Sequence, residues 1–148
     1  MFRHILIPTD GSPLSARGVL TGVNLARALG ARVSGVHVMP PRPFGDYAEN
    51  TPLYAGLTPA DWRKHHEKAA REALAVVERE ARAAKVPCSS GIVRDAVAWK
   101  GILRFARSKK CDAIVLGSHG RGALGGLILG NETQHVLARS KIPVLVVR

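Results

Sequence analysis

Five short apolar runs alternate with stretches of helical period along this chain, and that alternation restricts the fold more than any other feature. The runs are Ile5-Leu6-Ile7-Pro8, Val33 to Val38, Pro87 to Val93, Ala113-Ile114-Val115-Leu116 and Pro143 to Val147. The third is the weakest, because two serines and Gly91 interrupt it. Continuous apolar strands separated by helices imply a parallel sheet buried on both faces. The order is βαβαβαβαβ, and right-handed crossovers then place helices on both faces. The expected fold is α/β: a doubly wound, five-stranded parallel sheet of the Rossmann-like kind.

Punctuation supports the division. Ser12 can cap a helix whose first turn accepts Pro13. Ala16, Leu20, Val23 and Arg27 then follow helical spacing, flanked by Val19, Ala26 and Leu29, and Gly30 stops the helix. Residues 40–57 show no period and read as a long loop, a feature that in a compact domain is usually functional or mobile. Thr58-Pro59-Ala60-Asp61 opens a helix over 59–85 with a buried stripe of Trp62, Ala69, Ala70, Ala73, Leu74, Val77, Ala81 and Ala84. Asp95 can cap the third helix. Asn131-Glu132-Thr133-Gln134 has a capping-box pattern and opens the fourth.

The chain's 148 residues suit a single domain spanning 1–148. No apolar run approaches the ~20 residues that span a bilayer, and the start lacks a secretory apolar region. Cys88 and Cys111 are too few for a disulfide framework and read as two small buried thiols. A cytoplasmic domain with no membrane partner is expected. The formal net charge is +11, which favours anionic partners. Residues 61–110 hold 13 basic and 6 acidic groups. Those of the second helix, from Arg63 to Lys85, alternate in sign as on a solvated face, with no interleaved aromatic motif, so specific nucleic-acid binding is not expected. His4 and His37 stand in strand contexts and read as hydrogen-bonded core or edge groups. His65-His66 lack a further metal ligand. No Gly-x-Ser-x-Gly elbow surrounds Ser12 or Ser118, which argues against a hydrolytic triad with His119.

Ligands of such sheets bind outside the carboxyl ends of the strands, near the switch point. Two strand ends here carry special turns. One is Thr9-Asp10-Gly11-Ser12. The other is Gly117-Ser118-His119-Gly120-Arg121-Gly122, which continues through Gly125 and Gly126 to Gly130. Such glycines let backbone N–H groups converge, and the helix opening near Asn131 adds positive potential, a combination suited to a polyphosphate. A Walker A loop is excluded, because Gly126 stands where its Lys belongs. Gly120, Gly122 and Gly125 match Gly-x-Gly-x-x-Gly, but after the fourth strand and without a following acid for a ribose, which disfavours a dinucleotide site.

Ile5 to Ser12, Ala113 to Gly122 and Pro143 to Val147 together resemble the universal stress protein (UspA-like) family over essentially the whole chain. The family's fold class is adenine-nucleotide alpha-hydrolase-like. Its ATP-binding branch has Gly-x2-Gly-x9-Gly-[Ser/Thr]. Gly117, Gly120 and Gly130 keep that spacing, and Asn131 stands where the pattern has Ser or Thr. The resemblance implies an ATP site, with Mg²⁺ as a plausible co-ligand. Asp10, beside Pro8 and Thr9, would contact the ribose, and Val38 would present its backbone to adenine. Gly117 and Gly120 would let the chain approach ribose and phosphates. Gly130 and Asn131, followed by Glu132 and Thr133, would meet the phosphates, with His119 and Arg121 nearby in the loop. Asn131 is equally explained by helix capping. The resemblance implies a nucleotide-dependent stress or signalling module that acts on other proteins and pairs as a homodimer through the last strand. A nucleotide-independent dimeric interaction protein and a slow ATPase or phosphoryl-transfer enzyme are the alternatives.

Overall fold

The computed structural model describes residues 1–41, 58–118 and 130–148. Most of the loop expected over 40–57, and His119, Gly120 and Arg121, lie outside them. Five strands and four helices are described: β1 (His4–Pro8), α1 (Pro13–Leu29), β2 (Arg32–Met39), α2 (Pro59–Ala83), β3 (Cys88–Arg94), α3 (Ala98–Ser108), β4 (Ala113–Gly117), α4 (Asn131–Arg139) and β5 (Val144–Val147). All pairings are parallel, and the sheet order is β3-β2-β1-β4-β5. This is the doubly wound α/β fold expected. The switch point lies between β1 and β4. Among the described residues, no helix is long and apolar enough to cross a membrane.

The period of two along β1 divides the core. Ile5 and Ile7 join Val19, Val23, Val33, Val77 and Val115 under α1 and α2. Leu6 points the other way and joins Val36, Ile102, Phe105, Ile114, Leu116 and Val136 under α3 and α4. Each such aliphatic side chain contributes roughly 1.5–3 kcal/mol when fully buried.

Small residues set how closely the helices approach. The buried face of α1 is Ser15, Gly18, Val19, Gly22, Val23 and Ala26, whereas Leu20 is 49% exposed. The expected stripe through Leu20 is therefore rotated. The reason is contact: a Cβ on Gly18 would lie 2.8 Å from the Gly117 nitrogen, and one on Gly22 would lie 2.7 Å from Ile7 Cδ1. Two backbone-like surfaces face the sheet, and the larger Leu20 turns outward. In α2 the stripe of Trp62, Ala70, Ala73, Leu74, Val77 and Ala81 is buried as expected, with Ala69 and Ala84 only partly so.

The helix starts differ in how they are capped. Ser12 accepts the Ser15 N–H at 3.1 Å, and Thr58 with Asp61 forms the expected reciprocal box. The other two expectations are corrected. Asp95 instead accepts the Val97 N–H at 3.0 Å in an Asx turn, and Val97 takes the cap position of α3. The box from Asn131 does not form, because Gly130, which has no side chain to offer, occupies the N-cap of α4. The second helix ends at Ala83 rather than 85, and β3 begins at Cys88 rather than Pro87. Cys111 is buried but Cys88 is exposed, correcting the expectation of two buried thiols; neither is in a disulfide. β3 is an edge strand, so a residue at its start gains cover on one side only.

Candidate functional site

β1 and β4 end side by side, and the helices α1 and α4 that follow them pack on opposite faces of the sheet. After Pro8, the Thr9 N–H still reaches the Val36 carbonyl at 2.9 Å. The turn then closes on its own side chains. Thr9 Oγ1 accepts the Gly11 N–H at 3.2 Å and lies 3.1 Å from Ser15 Oγ. Asp10 Oδ1 accepts the Ser12 N–H at 2.9 Å. Gly11 has φ +79°, which an L side chain rarely adopts. His37 Nδ1 meets the Thr9 carbonyl at 3.0 Å. The Asp10 carboxyl is thus held at the mouth of the sheet by this turn.

On β4, Gly117 is pressed against the start of α1, where an added Cβ would lie 2.7 Å from the Leu14 carbonyl oxygen. The Ser118 N–H reaches Val147 O at 2.7 Å, and the Gly130 N–H reaches Ser118 O at 2.8 Å. Buried Thr133 donates its hydroxyl to the Gly117 carbonyl at 3.1 Å. These bonds fasten the N-terminus of α4 beside the end of β4. Asn131 is the first helical residue and is exposed. Glu132 turns away: its Oε2 accepts the Trp99 N–H at 2.7 Å and so caps α3.

Val38 completes the arrangement. In a parallel ladder, alternate residues face alternate neighbours. Val36 O faces β1, and Met39 O faces β3, where it accepts the Asp95 N–H at 3.1 Å. Val38 therefore directs its backbone toward the β1 side, past the last paired residue of that strand.

Pro8, Thr9, Asp10, Val38, Gly117, Gly130, Asn131, Glu132 and Thr133 all stand at this end of the sheet. Their roles differ. Thr9 and Thr133 spend their hydroxyls on internal bonds, and Glu132 braces α3. Asp10, the Val38 backbone and the first turn of α4 lie beside them at the carboxyl ends of the strands. Two supports escaped the sequence: Ser15, a buried polar group one turn after the cap, and Leu14, whose carbonyl forms the wall against Gly117. The Ser12 cap predicts the first, since Ser15 supplies the N–H that the cap accepts. Nothing local predicts the second.

The carboxyl ends of the strands thus gather a carboxylate, polar strand backbone and a helix N-terminus, groups that suit a ligand with hydroxyl and anionic parts. The universal stress protein family model matches residues 1–148. The chain belongs to the universal stress protein family. A universal stress protein of Thermus aquaticus is 34% identical over 148 residues, covering 100% of both chains. The YxiE universal stress protein of Bacillus subtilis is 30% identical over 156 residues, again covering 100% of both. A solved universal stress protein in complex with cAMP is 25% identical, with a TM-score of 0.71 over 99% of this chain and 97% of that one. This universal stress protein therefore shares the family's fold and spans the full length of both of these curated relatives.

Proposed function

We propose that this chain binds ATP at the carboxyl ends of β1 and β4 and acts as a nucleotide-dependent stress or signalling module. The carrying observation is the convergence at the switch point of the Thr9–Asp10 turn, Gly117 and the N-terminus of α4, whose N-cap is the glycine Gly130. The cAMP complex of the structural neighbour supports an adenine nucleotide. Asp10 would hold the ribose, the Val38 backbone the adenine, and Gly130 with Asn131 the phosphates. Residues His119, Gly120 and Arg121 belong to the same proposal through their place between Gly117 and Gly130. The bound nucleotide supplies a triphosphate with its own sites for Mg²⁺, so the chain need only bind the charge. An amide at Asn131 in place of a hydroxyl keeps the backbone N–H and a side-chain donor. The exposed thiol of Cys88 suits a reducing, cytoplasmic compartment.

The proposal includes a homodimer through β5. Val144 and Val146 turn their backbones away from β4, and Leu145 is 44% exposed. An apolar open edge favours pairing with a second copy.

Calorimetric titration of the nucleotide-stripped protein with ATP and Mg²⁺ at two salt concentrations tests the ligand. Saturable binding near one per chain, only mildly weakened by salt, is the expected result. Asp10→Ala should weaken it about tenfold, the loss of a charge-assisted hydrogen bond of about 1.4 kcal/mol. Heat that vanishes with salt, or binding unchanged by the substitution, would overturn the proposed site.

A further inference from the structure

The amino ends of the strands, at the opposite pole from the candidate nucleotide site, hold a second concave feature. A cleft of about 300 Å³ is lined by Arg32, Val33, Lys109, His4, Ser89, Cys88 and Pro87. Among the described residues no acidic side chain lines it. Arg32 makes no ion pair among the described residues. Lys109 Nζ lies 5.6 Å from the centre of the Phe105 ring and has no carboxylate partner among them. Two acids act on its lining groups, Asp112 on His4 and Glu78 on Cys88, and both are already hydrogen-bonded. Asp112 accepts the Arg3 and His4 N–H groups at 2.8 and 3.0 Å, one on each oxygen. Glu78 accepts the Ser90 hydroxyl.

Both cations act on the same neighbours. Burial first, then Arg32 and to a lesser degree Lys109, hold the His4 imidazole below its ordinary pKa, against the Lys109 carbonyl and Asp112. Burial pushes the Cys111 thiol to about 11, with Asp112 raising it further and Arg32 and Lys109 pulling it down. Arg32 and Lys109 both line this one cleft, and their charges bear on the same buried groups. Helix C-termini at this pole add partial negative charge, so fixed cations must supply any attraction for an anion. Arg32 offers a planar fork that matches a tetrahedral oxyanion, and Lys109 offers a mobile point charge.

We propose that this cleft binds one small tetrahedral oxyanion, of the inorganic phosphate class, between the Arg32 guanidinium and the Lys109 ammonium beside the Ser89 hydroxyl. Occupancy would tie the start of β2 to the turn between α3 and β4. The site is separate from the nucleotide proposal, because His4 and Pro8 mark opposite ends of β1, about 13 Å apart.

The test follows the imidazole resonances of His4 and His37 by NMR while inorganic phosphate replaces chloride at constant ionic strength. A saturable shift at His4, with its pKa raised as the anion offsets the two cations, is expected. The double substitution Arg32→Gln with Lys109→Gln should weaken this response about tenfold or more. Arg63→Gln with Lys64→Gln, exposed on α2, should leave it unchanged. Equal responses in both variants, or a His4 shift that tracks ionic strength alone, would overturn the proposal. A shift confined to His37, which touches Thr9, would place the phosphate at the other pole and overturn it without harming the nucleotide site. A response to a short oligonucleotide with none to inorganic phosphate would also overturn it. Absence of ATP binding leaves this readout intact.

Discussion

His4 begins the central strand at 6% exposure, and its Nε2 lies 2.8 Å from Ser34 Oγ, which in turn lies 2.8 Å from Ser89 Oγ. This chain of polar groups crosses three strands on one face of the sheet. Burial, reinforced by Arg32, keeps the ring neutral below the ordinary value of 6.5. The unfolded chain then takes up a proton that the folded chain refuses. Stability present above about pH 6.5 should fall as the pH drops toward the folded pKa, by at most about 1.4 kcal/mol per pH unit for one proton. Urea midpoints between pH 7.5 and 5.5 measure this slope. His4→Gln should flatten it while lowering stability at pH 7.5, and an unchanged slope would refute the assignment. Asp112 adds a separate effect at lower pH. Burial alone would raise its carboxyl, but the His4 and Arg3 N–H donors outweigh that and depress it, so its contribution is present above about pH 4 and lost below it. That His4 and His37 are hydrogen-bonded within the strands was legible, since a polar ring in an apolar run must find a partner.

Three helices end in the same motif with different residues. In α1, Gly30 takes φ +62° and the Ala31 N–H returns to Ala26 O at 2.8 Å. In α2 and α3 the same position is Lys85 at φ +55° and Lys110 at φ +54°, followed by the Val86 N–H to Ala81 O at 2.8 Å and the Cys111 N–H to Ala106 O at 2.9 Å. A side chain in the left-handed region costs free energy that glycine avoids. Lys85→Gly and Lys110→Gly should each raise stability by about 0.5–1 kcal/mol, read from urea midpoints; a loss in both would show that the lysines stabilise these turns by other contacts. These two stops were not legible as stops, because lysine carries no left-handed signal, and the helix expected to reach 85 ends at Ala83. Ser12 and Thr58 were legible, because cap and first-turn proline lie within a few residues of each other. Asn131 misled for a tertiary reason. Gly130 is anchored by Ser118 O, which places the cap one residue earlier. The role of Glu132 at α3 depends on two helices 33 residues apart in sequence and has no local signature.

Across the whole molecule, charge follows topology. The last turns of the helices contain Arg27, Arg82, Arg107 and Arg139, all at the amino pole of the sheet, where they offset the helix C-termini. Much of the +11 charge is thereby gathered away from the candidate nucleotide site. That gathering was hidden in the sequence, where the basic residues simply crowd the middle of the chain. The same topology leaves β5 as an open edge, the basis for the proposed homodimer. Leu145→Arg should convert a dimer to monomer in sedimentation at micromolar concentration, without altering the circular dichroism spectrum. A wild-type monomer at that concentration would refute the pairing.

Every strand points the same way, β1 lies in the middle and β5 at the edge. Arg3 therefore sits at one pole and Arg148 at the other. A pull between these two residues runs along the strands instead of across them. It loads the β1–β4 and β4–β5 ladders in shear, so that their hydrogen bonds share the tension together, unlike the sequential rupture of an unzipped hairpin. Mechanical strength is thus a by-product of the winding that brings the two strand ends together.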